Sequence, residues 1–282
     1  ITTFLDILHK GTPYLEKRGI EDARRNMQML VAHQLGCTRM ELYLRFDEPM
    51  EEGDLDPLRE SLKKRGDGMP VQHLVGTVGF RQHEFRIDAR ALIPRPETEE
   101  LAEWLARNVK LPDRAAILDM GTGSGCLGLS LAADFPGATV TLADISPDAL
   151  ALARENAEAI GAPASGSLDF IESDLFTAIS ADRRFDLIVA NLPYVPEGEK
   201  LAPEVRHDPA LALFGGKDGL DVIRRFIPEA AKRLKPGGCL ALEIGHDQSA
   251  EVGRLLGAAG LTDVLTLNDL SGIPRFPIAR KA

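Results

Sequence analysis

A chain of 282 residues with 44% hydrophobic and 27% charged side chains has the composition of an ordinary globular protein, long enough for one large domain or for a large and a small one. A net charge of −10 runs against a dedicated nucleic-acid binder, which carries a strongly basic domain, although short basic runs at Lys63-Lys64-Arg65 and Arg183-Arg184 leave room for local patches. Apolar runs fall short of the ~20 residues of a membrane helix. The start at Ile1 resembles no signal peptide and is expected to lack its initiator methionine, and the scattered Cys37, Cys126 and Cys239 read as small buried hydrophobes of a reducing cytosol.

The first ~70 residues read as short helices. Ala23, Met27, Leu30, Val31 and Leu35 fall at helical spacing and Gly36 ends the pattern; Leu55, Leu58 and Leu62 form a second stripe, opened by Asp54 and stopped by Gly66. Such one-sided helices must pack on each other, so residues 1–72 are expected to form a small helical domain. Alternating residues at 72–80 and 83–88, with Arg81-Gln82 between them, predict a β-hairpin linker over 73–92. Pro96 suits the first turn of a helix and Glu97, Glu99 and Glu100 suit its N-terminus, with Leu101, Trp104 and Leu105 as the buried stripe.

From there to the end, 93–282, strands and helices alternate. Strands are expected at 115–120, 138–143, 168–172, 185–190, 239–244, 262–267 and 276–280, and helices at 126–134, 147–160, 221–234 and 248–259. That order predicts an α/β domain with a mostly parallel sheet, helices on both faces and its ligand beyond the carboxyl ends of the strands.

Three strand ends carry chemistry. The first leads into Gly121-Thr-Gly-Ser-Gly125, whose glycines let backbone turn tightly and approach a ligand. Gly123 to Gly128 also satisfies the G-x-G-x-x-G dinucleotide fingerprint. Glycine at 121 and the acidic Asp119 on the strand end favour S-adenosylmethionine, whose methionine end carries an ammonium, over a pyrophosphate. Asp144 ends the next strand about 20 residues after the loop, where a carboxylate accepts from ribose hydroxyls; Ser146 already serves as the cap of the helix at Pro147. Ser173-Asp174-Leu175 ends the third strand. Asp174 could accept from an adenine amino group and Leu175 pack on its ring, or the two could be a polar strand end and a core leucine.

The run 185–190 then breaks at Asn191-Leu192-Pro193-Tyr194, a short amide, a rigid proline and an aromatic ring leaving the sheet together. Such a peptide can hold a planar NH2 group, on a glutamine or on an adenine, by its two hydrogens. The six histidines show no H-E-x-x-H or paired metal spacing, and no metal site is expected. Arg95 and Glu97 fit either an orienting role or a helix-start ion pair.

These residues carry a family resemblance over nearly the whole chain. Pro-Val-Gln-His-Leu-Val-Gly at 70–76, Leu-Ile-Pro-Arg-Pro-Glu-Thr-Glu at 92–99, Asp-Met-Gly-Thr-Gly-Ser-Gly at 119–125, Asn191 to Tyr194, Ala-Leu-Phe-Gly-Gly-Lys-Asp-Gly-Leu at 212–220 and Glu-Ile-Gly at 243–245 resemble the HemK/PrmC family of peptide chain release factor N5-glutamine methyltransferases. The resemblance implies a seven-stranded Rossmann-like class I methyltransferase domain behind a helical domain and hairpin linker. It implies S-adenosylmethionine as cofactor and, as substrate, the glutamine of the Gly-Gly-Gln motif of class I release factors. By motif, Gly121, Thr122, Gly123, Ser124, Gly125, Asp144, Leu175 and Asn191 would contact the cofactor, and Asn191, Leu192, Pro193 and Tyr194 would hold the glutamine and carry the reaction. A cytoplasmic monomer without direct nucleic-acid or membrane binding is expected. Two departures stand out: Leu192 replaces the family's usual first proline, which implies a looser loop, and Leu175 stands where relatives often carry an aromatic ring. The nearest rivals are an amino-methyltransferase acting on adenine N6 or on a ribosomal-protein glutamine, a cofactor-binding protein without catalysis, and an NAD-dependent oxidoreductase.

Overall fold

A computed structural model describes residues 2–161 and 167–282. The chain forms two units, one of residues 1–77 together with 201–207, the other of 78–200 and 208–282.

The first unit is built of α1 (Phe4–Glu16), α2 (Ala23–Gln34), α3 (Arg39–Tyr43), α4 (Glu52–Gly66) and α5 (Val71–Val75). Thr3 and Asp6 form a capping box that starts α1, each side chain accepting from the other's backbone N–H. Phe4, Ile7, Leu8 and Leu15 of α1 bury against Met27, Leu30 and Val31 of α2. The apolar stripe of α4 sits where the sequence puts it, but the helix begins at Glu52, before Asp54. Its last turn holds Lys63, Lys64 and Arg65, so this basic run complements a helix C-terminus. Arg65 is buried; it donates to Asn26 Oδ1 at 2.7 Å and to the Met69 carbonyl, and pairs with Glu204 of the 201–207 segment.

The expected strand from 72 begins instead as α5. Pro70 with its fixed φ precedes this helix, and Gly76 at φ +75° ends it. Five residues are too few for periodicity to separate helix from strand. The hairpin proper is β1 (Thr77–Phe80) and β2 (His83–Arg86).

The second unit continues with α6 (Pro96–Asn108), β3 (Ala116–Met120), α7 (Cys126–Asp134), β4 (Thr139–Asp144), α8 (Pro147–Ala159), β5 (Ser167–Glu172), β6 (Phe185–Asn191), the short α9 (Ala210–Leu213), α10 (Asp221–Arg233), β7 (Leu234–Glu243), α11 (Ser249–Ala258), β8 (Leu261–Asn268) and β9 (Pro274–Lys281). The seven strands run β5-β4-β3-β6-β7-β9-β8, parallel from β5 to β7, with β9 antiparallel to both β7 and β8. The alternation predicts the mostly parallel sheet, and the seven strands make the Rossmann-like class I methyltransferase architecture that the resemblance implies. Side chains alternate across the sheet: Leu187 and Val189 of β6 pack with α6 and α7, Ile188 and Ala190 with α10 and α11. Strand order reverses between β3 and β6, where Met120 lies opposite Ala190. The glycine loop and the Asn191 peptide therefore leave adjacent strands at the switch point, where doubly wound sheets bind ligands.

Candidate active site

The turn after β3 needs three residues in left-handed backbone, and Gly121 (φ +73°), Gly123 (φ +55°) and Gly125 (φ +85°) supply them. The amides of Gly121 and Thr122 both donate to the Ala143 carbonyl, at 2.8 and 3.0 Å, so the loop closes over the end of β4. Asp119 lies fully buried beneath it and accepts from Thr122 Oγ1 at 2.6 Å and from the Gly128 amide at 2.9 Å. Burial pushes its carboxyl up to about 6. A β-carbon on Gly128 would lie 2.8 Å from Asp119 Oδ2, so this third glycine of the fingerprint serves the contact between helix and carboxylate.

Asp144 ends β4 beside the loop. Its Oδ2 accepts from the Gly123 amide at 2.8 Å and its Oδ1 from the Ser146 amide at 2.9 Å, while Ser146 Oγ accepts from Ala149 and caps α8. Burial raises the Asp144 carboxyl above its ordinary value. Asn156 of α8, which the sequence does not mark, is fully buried and donates to the carbonyls of Ser124 and Arg86 while accepting from the Arg86 amide. One side chain thus ties the glycine loop to the hairpin.

These elements enclose a cavity of about 280 Å³. Its wall includes Gly121, Thr122, Gly123, Ser124, Asp144, Leu175, Asn191, Leu192 and Pro193; Gly125 and Tyr194 do not line it. Gly125 instead opens α7, packed close to Leu129 and Ala153. Asp174 reaches the wall but pairs with Arg225 at 2.8 Å, and Leu175, held at φ +50°, packs against the core beneath α10. Both arginines of the wall are engaged by carboxylates, Arg90 by Asp88 and Glu155 and Arg225 by Asp174. With Asp119 and Asp144 at its base, the cavity suits a ribose and a cationic group better than a pyrophosphate.

Asn191 is the last residue of β6, paired across the sheet with Glu243 of β7. Its Nδ2 donates to Thr98 Oγ1 at 3.1 Å, and Thr98 Oγ1 donates to Glu243 Oε2 at 2.6 Å. The Tyr194 hydroxyl donates to Glu243 Oε1 at 3.3 Å. Burial and the Glu243 charge hold the Tyr194 phenol above its ordinary value. Leu192 is buried at 4% exposure, and its Cδ2 would lie 3.1 Å from a β-carbon on Gly121. The side chain that replaces a proline therefore anchors the peptide by packing, and the looser loop implied by that replacement has a physical counterweight.

Backbone holds the rest of the peptide. Val195 donates to the Leu213 carbonyl and Gly215 to the Val195 carbonyl, both at 2.9 Å, and Gln248 Nε2 donates to the Tyr194 carbonyl at 2.9 Å. The segment 213–220 needs glycine because a β-carbon on Gly215 would overlap the Pro193 carbonyl oxygen, and one on Gly219 the Tyr194 carbonyl oxygen.

The acidic start of α6 reads from sequence as helix-terminus charge, yet two of its carboxylates have tertiary partners: Glu99 accepts from the Arg81 amide and Glu100 from the Leu270 amide, while Thr98 beside them donates to Glu243. Arg95 pairs with the buried Asp208, which also accepts from the Ile93 amide at 3.1 Å, so its partner is distant in sequence and not at the helix start. Cys126 and Cys239 are buried and Cys37 is half-buried, all three free thiols.

Residues 6–76 match the family model of the PrmC N-terminal domain and residues 97–208 that of the methyltransferase small domain. The chain is 39% identical over 98% of its length to the release factor glutamine methyltransferase of Geobacter sulfurreducens, covering 95% of that protein. It is also 39% identical over 98% of its length to the enzyme of the same name from Deinococcus radiodurans, covering 98% of that protein. Among solved structures it superposes on the T. thermophilus 16S rRNA N2 G1207 methyltransferase with a TM-score of 0.54 at 23% identity, over 73% of this chain and 50% of that one. A methyltransferase from Pyrococcus furiosus gives 0.51 at 20% identity, over 70% and 88%. The two structures share the fold; the two sequences, matched almost from end to end, show that this chain belongs to the release factor glutamine methyltransferase family.

Proposed function

We propose that this protein transfers a methyl group from S-adenosylmethionine to the side-chain amide nitrogen of the glutamine in the Gly-Gly-Gln motif of class I release factors, a modification that serves translation termination. The observation that carries this reading is the placement of Asn191 in the wall of the glycine-loop cavity, in a chain whose end-to-end relatives bear that name.

The residues present fit the cofactor. Gly121 and Gly123 leave the backbone bare where a ligand must approach, Asp144 stands where it can accept from ribose hydroxyls, and Asp119 adds negative charge beneath the loop. Leu175 offers an apolar face for adenine. When bound, S-adenosylmethionine supplies an electrophilic methyl group on a sulfonium.

The chain's own task is to make an amide nitrogen act as a nucleophile. Its lone pair is delocalised into the carbonyl on the scale of the ~18–20 kcal/mol barrier to amide rotation. Asn191 Oδ1 and the Leu192 carbonyl accept the two amide hydrogens, which fixes the plane and favours charge developing on nitrogen. Positioning of this kind contributes roughly 7–11 kcal/mol, and the preorganised acceptors add electrostatic stabilisation. No general base is needed before transfer, because the N-methylated amide cation is itself acidic. Tyr194 closes the peptide through its carbonyl and hydroxyl bonds.

The helical unit, which runs past the expected 1–72 span to residue 77 and takes in 201–207, supplies the substrate-recognition surface in this reading; Met40, Tyr43 and Leu44 are exposed there. No helix among the described residues is long and apolar enough to cross a membrane, and a release-factor substrate places the protein in the cytoplasm. Asn191→Ala should lower turnover roughly a hundredfold, the scale of one preorganised polar contact, with cofactor affinity nearly unchanged. Near-normal turnover in that variant would show that the amide clamp has been assigned to the wrong residue.

A further inference from the structure

We propose that Thr98 and Glu243 are positioning residues that fix which end of the Asn191 amide faces the cavity, and thereby set the site to receive a group that donates two hydrogens. The inference rests on the amide-clamp reading above and deepens it.

An ionised carboxylate only accepts, and a threonine hydroxyl has one hydrogen. Glu243 Oε2 lies 2.6 Å from Thr98 Oγ1, so the hydroxyl hydrogen is committed to Glu243. What Thr98 then offers Asn191, 3.1 Å away, is lone pairs alone, and only the NH2 arm of the Asn191 amide can use them. The planar amide is thereby turned so that Oδ1, its other arm, remains as the acceptor for a ligand in the cavity that Asn191 lines. With the amide reversed, Nδ2 would face an incoming NH2 and two donors would oppose each other. Asparagine by itself has no preference between the two orientations; the carboxylate beyond the threonine imposes one.

The surroundings suit this role. Thr98 and Glu243 are buried, at 5% and 1% exposure, Thr98 reaching the cavity wall and Glu243 lying behind it. They come from α6 and β7, far apart in sequence and fixed by the sheet. The second carboxylate oxygen accepts from Tyr194, so the same group also holds the far end of the tetrapeptide. The charged and titratable groups that bear on Glu243 are Glu97 on α6, Tyr194 after β6 and Arg275 on β9. Burial, reinforced by Glu97 and opposed by the hydrogen bonds and Arg275, raises the Glu243 carboxyl to about 7. Once protonated, the carboxyl can donate to Thr98 Oγ1. That frees the threonine hydrogen for Asn191 Oδ1 and lets the amide turn the wrong way.

The test compares wild type, Thr98→Val, Thr98→Ser and Glu243→Gln in methyl transfer at saturating cofactor and release factor, from about pH 6 to 9, with cofactor affinity measured in parallel. Saturation keeps titration of Asp119 out of the turnover number. Thr98→Val, of the same shape without the hydroxyl, should lower kcat roughly ten- to a hundredfold, the scale of a lost hydrogen bond to a charged network, and leave cofactor Kd nearly unchanged. Thr98→Ser should restore turnover to within about threefold, since it keeps the hydroxyl. Wild-type kcat should fall as pH drops through about 7, and Glu243→Gln should be slow and flat over that range. A second readout needs no turnover: with 15N-asparagine labelling, the Asn191 side-chain NH2 resonance should titrate near the same pH in wild type and lose that titration in Glu243→Gln. Wild-type-like kcat in Thr98→Val, or an unchanged pH profile in Glu243→Gln, overturns the inference, as does a wild-type Asn191 resonance indifferent to pH. A wild type that transfers no methyl group yet shows the Asn191 titration would defeat the proposed substrate and leave the positioning role standing.

Discussion

Gly219 touches the Tyr194 carbonyl so closely that a β-carbon at 219 would overlap the oxygen, and its φ of +78° is one that only glycine adopts without strain. A loop 25 positions downstream thus determines where the active-site peptide can lie. Gly219→Ala should therefore lower turnover at least tenfold, because displacing the peptide by a fraction of an ångström spoils the attack geometry. Gly237 provides the control, with a similar φ of +75° and open space around it. Gly237→Ala should cost ~1–2 kcal/mol of stability, the strain of left-handed backbone, and leave kcat alone. Melting curves and steady-state rates on the two variants separate these effects.

Asp144 reaches the ligand side of the cavity while accepting from the amides of Gly123 and Ser146. Asp144→Ala removes an acceptor proposed for the ribose and also unties the glycine loop. Cofactor affinity should fall roughly ten- to a hundredfold, as expected for charge-assisted hydrogen bonds of ~1.5–3 kcal/mol. Calorimetric titration with S-adenosylmethionine reads this directly.

Asp119 predicts a pH dependence of stability. Its folded-state value is raised, from 3.8 to about 6. A raised carboxyl binds its proton more tightly when folded, so its contribution is complete below about 4 and is lost as pH climbs through about 6. Asp119→Asn keeps an oxygen to accept from Thr122 and Gly128 and removes that loss. The variant without ligand should be more stable than wild type by up to ~3 kcal/mol above pH 7, with the difference vanishing in acid, and should bind the cofactor more weakly. Thermal unfolding followed from about pH 4 to 8 checks the sign.

Leu192 is tested by truncation. Its side chain belongs to the core beneath α10 and abuts Gly121. Leu192→Ala should destabilise by ~2–5 kcal/mol, the usual range for such a cavity, and weaken cofactor binding because the glycine loop loses its backing. A small stability change with normal binding would mean that the peptide is held by its backbone alone.

Local periodicity made the sheet and its helices legible, because β6 and its neighbours bury both faces as continuous apolar runs and each strand end carries its own turn chemistry. It did not resolve α5, whose five residues between Pro70 and Gly76 alternate like the strand that follows. The glycine loop, Asp144 and Asn191 were legible because each sits at a strand end. Thr98, Glu243, Asn156, Gln248 and Asp208 were not, since their roles arise from partners 32 to 145 positions away. Acidic residues at a helix start look the same whether they face solvent or hold a hairpin turn, and only the tertiary fold separates the two.

The central claim is that a release-factor glutamine is the methyl acceptor. The direct measurement is transfer of a labelled methyl group from S-adenosylmethionine to a purified class I release factor, beside the same factor with the glutamine of its Gly-Gly-Gln motif changed to alanine. One labelled methyl group should appear on the unaltered factor, located on that glutamine, and none on the variant. Equal labelling of both, or labelling of neither, would contradict it.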